Sequence, residues 1–363
     1  MKFLIAGFGS IGRRHFRNLL ALGECDIVFL RSQRSTLPDD EIADFPVETE
    51  ISAALAHHPD AVIIANPTAL HLDVAIPAAE QGCHLFIEKP VSHSLARIDE
   101  LQAALARGGG KAFTAFQFRF HPGLQCIKDY LNFALTPALS PGERGSIGCP
   151  LSVRVHWGEY LPDWHPWEDY RQSYSARADL GGGVVLTLCH PLDYLRWIFG
   201  EVRSLWAFTS CDSDLGLEVE DTAEIGLRFE NGVIGSVHLD YVQRPPGHRL
   251  EIIGTEGTIC WDNADGAVQV YSPHPRHLSP GERGEIGWQN YPVPEGFERN
   301  DLFLAEMDHF LRVMCDEVEP RATLGDGIWS QKLVQGVYDS AREGRLITWG
   351  TEATSGLDGD FLP

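Results

Sequence analysis

Residues 2–12 read KFLIAGFGSIG, four apolar residues (Phe3 to Ala6) running directly into glycines at 7, 9 and 12. The apolar run is too short for a helix and reads as a buried strand. A helix-like stretch, 12–22, follows it. In a strand, turn and helix of this kind, Gly7 allows the tight turn, Gly9 lets the backbone approach a pyrophosphate, and Gly12 lets helix and strand pack closely. The amides of Ser10, Ile11 and Gly12 then open the helix and face the anion. Three unconnected turn glycines are the competing reading, and the strand and helix on either side argue against it.

Outward from this turn, apolar strands at 26–31, 61–65, 84–88 and 112–116 alternate with helical stretches at 51–57, 70–81 and 94–107. Strands separated by helices of about ten residues make βαβ units and a doubly wound parallel sheet, a Rossmann arrangement. Beyond residue 120 the rhythm changes. Strand-like runs at 151–160, 204–209, 222–230, 233–241, 250–253, 258–261 and 267–271 follow one another with only turns between, and helices return at 301–315 and 328–341. Asn231-Gly232 between two alternating runs predicts a type I′ hairpin. The expected fold is therefore α/β: a Rossmann domain over residues 1–120 and a C-terminal α+β domain over 121–363 with a mostly antiparallel sheet. A length of 363 residues suits two domains.

Acidic residues outnumber basic ones by 51 to 29, a formal charge of −22. Such a chain lacks the cations that displace counterions from a nucleic acid or bind an anionic membrane surface, so neither partner is expected. No apolar run is long enough for a signal peptide or a membrane span, which points to a soluble, cytoplasmic protein. Eight scattered cysteines without a C-x-x-C pair read as reduced thiols. Leu139 to Gly145 and Leu278 to Gly284 are both LSPGERG, polar and turn-rich, and read as two surface loop insertions.

The second strand ends Phe29-Leu30-Arg31-Ser32-Gln33-Arg34, with no carboxylate where an NAD site commonly places one for the ribose diol. Arg31, Ser32 and Arg34 suit a 2′-phosphate instead, so the reading favours NADP over NAD. Solvated surface arginines are the alternative.

Glu88-Lys89-Pro90 ends a strand at the carboxyl edge where open α/β sheets bind ligands. With the glycine turn, with Asn66-Pro67-Thr68 and His71, with Phe118-Arg119-Phe120-His121-Pro122, and with Gly181-Gly182-Gly183 before His190 and Asp193, the chain resembles the Gfo/Idh/MocA oxidoreductases over nearly its whole length. The resemblance implies a C-terminal domain with a large open sheet that mediates a homodimer or homotetramer. It also implies NAD(P)-dependent hydride transfer at a carbinol or ketone carbon of a sugar, polyol or nucleotide-sugar. Gly7, Gly9, Ser10, Ile11, Gly12, Asn66, Pro67, His71, Glu88 and Lys89 would then line the cofactor. Lys89 would stand beside the reacting oxygen, its pKa lowered by partial burial, and His190 would act as base or acid.

The chain also departs from that pattern. Many members carry an Asp four residues before the His, whereas Val184-Val185-Leu186-Thr187-Leu188-Cys189-His190 is one residue shorter, with Thr187 at the expected place. Either Asp193, one helical turn on, replaces the missing acid, or Lys89 carries most of the proton transfer. No metal is expected, since Cys189, His190 and Asp193 lack ligand spacing. Residues 156–174, HWGEYLPDWHPWEDYRQSY, set aromatic faces among charged groups as a polyhydroxylated ligand would need. The substrate candidates are Tyr160, Trp164, Arg171 and Tyr174, with Arg177 and Arg119 as further cations for an anionic group. A loop buried at a subunit contact is the alternative for the tryptophans. This segment resembles a branch linked to bacterial surface-sugar pathways. Two other functions stay open: a silent NAD(P)-binding sensor, kept open by Thr187, and a reductase of a non-sugar carbonyl.

Overall fold

The computed structural model describes residues 1–32, 40–134, 147–273 and 287–349. Its first sheet is built from β1 (Lys2–Ala6), β2 (Asp26–Leu30), β3 (Val47–Glu48), β4 (Ala61–Ile64), β5 (His84–Glu88) and β6 (Ala112–Ala115). The order is β3-β2-β1-β4-β5-β6, and every neighbouring pair is parallel. The connecting helices are α1 (Ser10–Ala21), α2 (Ile51–Leu55), α3 (His71–Glu80) and α4 (Ile98–Gly108). Because side chains alternate along a strand, the apolar runs divide into two cores. Phe3, Ile5, Phe29, Ile63, Phe86 and Phe113 face one side, and Leu4, Val28, Val62, Ile64, Leu85 and Ile87 the other. The strand order reverses between β1 and β4, which puts the ligand crevice beyond their carboxyl ends, at Gly7 and Asn66.

The chain then forms α5 (Pro122–Ala134), β7 (Pro150–Gly158), α6 (Val184–Thr187), α7 (His190–Phe199), β8 (Val202–Ser210), β9 (Thr222–Phe229), β10 (Ile234–Asp240), β11 (Gly247–Gly254), β12 (Thr258–Asp262), β13 (Val268–Ser272) and β14 (Gly287–Tyr291). It closes with α8 (Arg299–Met314), α9 (Leu324–Glu343) and β15 (Ile347–Thr348). The second sheet runs β14-β13-β12-β11-β7-β10-β9-β8-β15 and is antiparallel except for β7 against β10. Val153, Val155, Val237, Leu239 and Ile252 point into a core shared with α5, α6, α7 and α9. Among the described residues the opposite face carries no helix.

Three features differ from expectation. α5 occupies a stretch to which the sequence reading assigned no element: Pro122 opens the helix, and Leu124, Ile127 and Leu131 all bury. The β9–β10 hairpin forms, but not through a type I′ turn. Asn231 keeps a negative φ and only Gly232 is left-handed, at 92°. With Gly232 N–H donating to the Phe229 carbonyl and Phe229 N–H to that of Val233, Glu230, Asn231 and Gly232 make a three-residue loop. Third, α8 leaves the second domain and returns to the first, where Met307, Phe310 and Met314 complete the core beside Phe86 and Phe113. Both LSPGERG segments lie outside the described residues. Among the described residues no helix is long and apolar enough to cross a membrane, and the eight cysteines are unpaired.

Candidate active site

At the glycine turn, Gly7 has φ 94°, and a Cβ there would lie 2.6 Å from the Asn66 nitrogen. A Cβ on Gly12 would lie 2.2 Å from the Gly7 carbonyl oxygen, so both glycines are fixed by the strand–turn–helix contact itself. Gly9 differs: nothing stands within 4 Å of where its Cβ would be. Gly9 is also the N-cap of α1, which has no side-chain cap and no acidic residue in its first turn. Open space above Gly9 and uncapped amides at Ser10 and Ile11 form a cradle for a pyrophosphate, so the residues fit a dinucleotide cofactor. Across the crevice, Asn66 donates to the Leu70 carbonyl and its backbone oxygen bonds His71 Nε2 at 2.9 Å, while His71 Nδ1 meets the Pro90 carbonyl at 3.0 Å. His71 is 1% exposed. It therefore acts on the cofactor crevice indirectly, by tying the Asn66-Pro67 turn to the loop after Lys89.

Glu88 is likewise buried. Its Oε1 lies 2.7 Å from His15 Nε2 on α1, and its Oε2 accepts the Lys89 amide. Arg31 is buried against the Phe8 ring, with its guanidinium 5.5 Å from the ring centre, and Ser32 is exposed. Arg34 lies outside the described residues. No carboxylate stands at positions 31–32, and Glu48, which follows on β3, is bonded to His57.

Lys89 crosses from the first domain to the second. Its Nζ donates to the Thr187 carbonyl at 2.7 Å. The position that lacks the acid thus supplies its backbone oxygen instead. The expected lowering of the Lys89 pKa is not found: burial acts in that direction, but Tyr174, Cys189 and Glu88 outweigh it and hold the ammonium charged.

His190 opens α7 and is 2% exposed. Its ring packs between Phe118 at 5.0 Å, Trp157 at 5.9 Å and Phe116 at 6.1 Å between centres. Nδ1 is buried without a hydrogen-bond partner. Burial first, then the charge of Lys89, takes the imidazole well below its ordinary value, so it is neutral at neutral pH. Asp193 does not orient it. Both Asp193 oxygens bind Arg119, at 2.6 and 3.0 Å, and Arg119 also donates to Asp326 at 3.2 Å. Asp193 and Arg119 are each 2% exposed. This corrects two expectations at once: the carboxylate is consumed by a buried ion pair, and Arg119 is not on the substrate side.

The aromatic segment divides. Trp157 belongs to the core, stacked at 4.2 Å on His248. Tyr160 lies under the Arg244 guanidinium at 3.9 Å, Trp164 packs edge-on against Tyr241 at 5.6 Å, and Trp167 stands 64% exposed. Tyr174 is exposed and borders Lys89. Arg171 turns toward Asp169 and the Tyr170 ring, and Arg177 pairs with Asp179.

Two cations escaped the sequence reading. Arg299, the first residue of α8, is exposed and makes no ion pair among the described residues. Its charge reaches both Lys89 and His190. Arg14 lies beside it, donating to Asn300 at 3.2 Å and capping the Phe303 ring at 4.4 Å. Arg14 could have been found from spacing, since it stands one helical turn after Ile11. Nothing short of the α8 return brings in Arg299.

The chain is similar to known proteins over nearly its whole extent. Residues 1–116 match the oxidoreductase family with an NAD-binding Rossmann fold, and residues 143–260 a GFO/IDH/MocA C-terminal domain. An uncharacterized oxidoreductase of Bacillus subtilis, YrbE, is 30% identical over 72% of this chain and 73% of its own. A myo-inositol 2-dehydrogenase of Thermotoga maritima is 26% identical over 96% and 98%. The WlbA dehydrogenase of Bordetella pertussis, solved with NADH and UDP-GlcNAcA, superposes with a TM-score of 0.75 at 22% identity over 97% and 99% of the two chains. The chain belongs to the GFO/IDH/MocA family and is an NAD(P)-dependent oxidoreductase with an NAD-binding Rossmann domain.

Proposed function

We propose that this oxidoreductase moves a hydride between the nicotinamide and a carbinol or ketone carbon of an anionic sugar derivative, a nucleotide-sugar or sugar acid. The observation that carries this reading is a charged Lys89 at the carboxyl edge of β5, bonded across to Thr187, beside a neutral His190, with both feeling the charge of Arg299, which has no ion-pair partner among the described residues. The bound cofactor would supply the hydride chemistry. In the oxidative direction, neutral His190 accepts the hydroxyl proton through Nε2, its Nδ1 being sealed, while the Lys89 ammonium stabilises the developing alkoxide. In the reductive direction the same groups polarise the carbonyl and return the proton. Tyr160, Trp164 and Tyr174 offer aromatic faces to the sugar ring, and Arg299 with Arg14 offers charge to a phosphate or carboxylate. NADP(H) is favoured over NAD(H), on Arg31, Ser32 and Arg34 and on the lack of a carboxylate at the end of β2. The uncovered sheet face, with Phe208, Ile234 and Trp288 all more than half exposed, supports a homodimer or homotetramer.

The test is turnover of a panel of neutral polyols, uronic acids and nucleotide-sugars with NADP and NAD. The expected result is activity on the anionic members, abolished in Lys89→Ala while cofactor binding persists. Activity confined to neutral polyols, or none on any sugar, overturns the substrate assignment. An unchanged NADP/NAD preference in Arg31→Asp overturns the cofactor assignment.

A further inference from the structure

On the open face of the second sheet, β7 and β10 run parallel with His156 directly opposite His238 and Gly158 opposite Asp240. The two imidazoles stack at 4.5 Å with their planes 10° apart. One ligand atom from each of His156, His238 and Asp240 falls within 4.8 Å of the others. We propose that these three side chains form a binding site for a first-row divalent transition ion of the zinc class.

The surroundings are built for it. Asp240 is 3% exposed, and its Oδ1 accepts the amides of Val242 and Gln243 at 2.8 and 2.6 Å, which fixes the carboxylate and leaves Oδ2 toward the imidazoles. Oδ2 lies 2.9 Å from His238 Nε2. On the other side of the same ring, Nδ1 lies 2.6 Å from Glu224 on β9. A carboxylate holding the far nitrogen of a ligating histidine is the outer-shell arrangement that orients the ring and raises its basicity. His156 Nε2 meets the Gln243 amide oxygen, a neutral partner that a metal displaces. Arg249, opposite His156 on β11, is turned aside to Asp262 at 2.8 Å. Two imidazoles and one carboxylate, with a fourth position left for water, match the donor set of an open tetrahedral site.

Metal-stripped full-length protein is titrated with Zn²⁺ by calorimetry and with Co²⁺ by visible spectroscopy. The expected result is one ion per chain, bound at micromolar concentration or tighter. The cobalt spectrum should show nitrogen and oxygen donors without a thiolate charge-transfer band. Binding should be lost in His156→Ala and in Asp240→Asn, each checked for a native circular dichroism spectrum. Wild-type protein that binds neither ion at micromolar concentration overturns the site. So does binding that survives both substitutions, or a thiolate band, which would place the ion on the cysteines.

Discussion

His190 is held by packing where a carboxylate was expected. Phe118, Trp157 and Phe116 enclose the ring, and burial keeps it neutral well below the ordinary histidine value. The acid limb of kcat/KM for the oxidative reaction should therefore lie below ~6.5, leaving a plateau through neutral pH. A limb at or above that value means that another group takes the proton. His190→Asn should lower turnover about 10²–10⁴-fold with cofactor affinity retained. Asp193 gives the opposite pattern. Removing it takes two hydrogen bonds from the buried Arg119 guanidinium, which keeps only Asp326 and the Arg321 carbonyl, so Asp193→Ala should cost on the order of 3 kcal/mol of stability, read by denaturant unfolding. Whatever activity remains should keep the acid limb where it was; a limb that moves restores Asp193 to the proton path. The sequence could name His190, Asp193 and Arg119, because each sits in a recognisable run. It could not pair them, because Arg119 and Asp193 are 74 residues apart and only the packing of α7 against the segment after β6 brings them together.

The turn between β1 and α1 was legible nearly atom by atom, because strand, glycine spacing and helix start constrain one another within eleven residues. The structure separates its glycines by role. Gly7 and Gly12 have backbone atoms where a Cβ would stand, whereas Gly9 faces open space. Gly9→Ala should consequently leave thermal stability within about 0.5 kcal/mol of wild type and raise the dissociation constant for NADP(H), since the added methyl occupies the approach of the pyrophosphate. Equal affinity in Gly9→Ala and wild type would show that the phosphates bind elsewhere. Elements whose signals conflict were harder to read. Pro122-Gly123 signals a turn and also a helix start, and α5 went unread although Leu124, Ile127 and Leu131 have helical spacing. At Asn231-Gly232 the residues suit a type I′ turn, but β9 and β10 need one more residue to keep Val237 and Leu239 facing the core, and the longer loop wins.

Across the whole molecule, burial neutralises several imidazoles at once. His71, His121, His190 and His248 are all held below the ordinary value by desolvation, and His121 is the best defined, lowered to about 4. His71 is sealed within the first domain, whereas the placement of the other three follows from the second domain closing over the segment after β6, where His121 packs on Trp261 at 5.1 Å and His248 on Trp157 at 4.2 Å. The sequence showed histidines, but not that His121, His190 and His248 share one aromatic core. A histidine with a depressed folded-state value favours folding fully above ~6.5. As the pH falls, the unfolded chain takes up a proton that the folded chain refuses, so stability is lost between about 6.5 and 4. Asp193, Glu220 and Glu306, whose carboxyls burial pushes up, act in the opposite sense, so the net curve does not isolate the imidazoles. A difference does. Unfolding free energies of wild type and His121→Gln, measured by denaturant titration from pH 7 to pH 4, share every other group. The wild type should lose about 3 kcal/mol more than the variant over that range. Parallel curves would mean that His121 is protonated inside the fold.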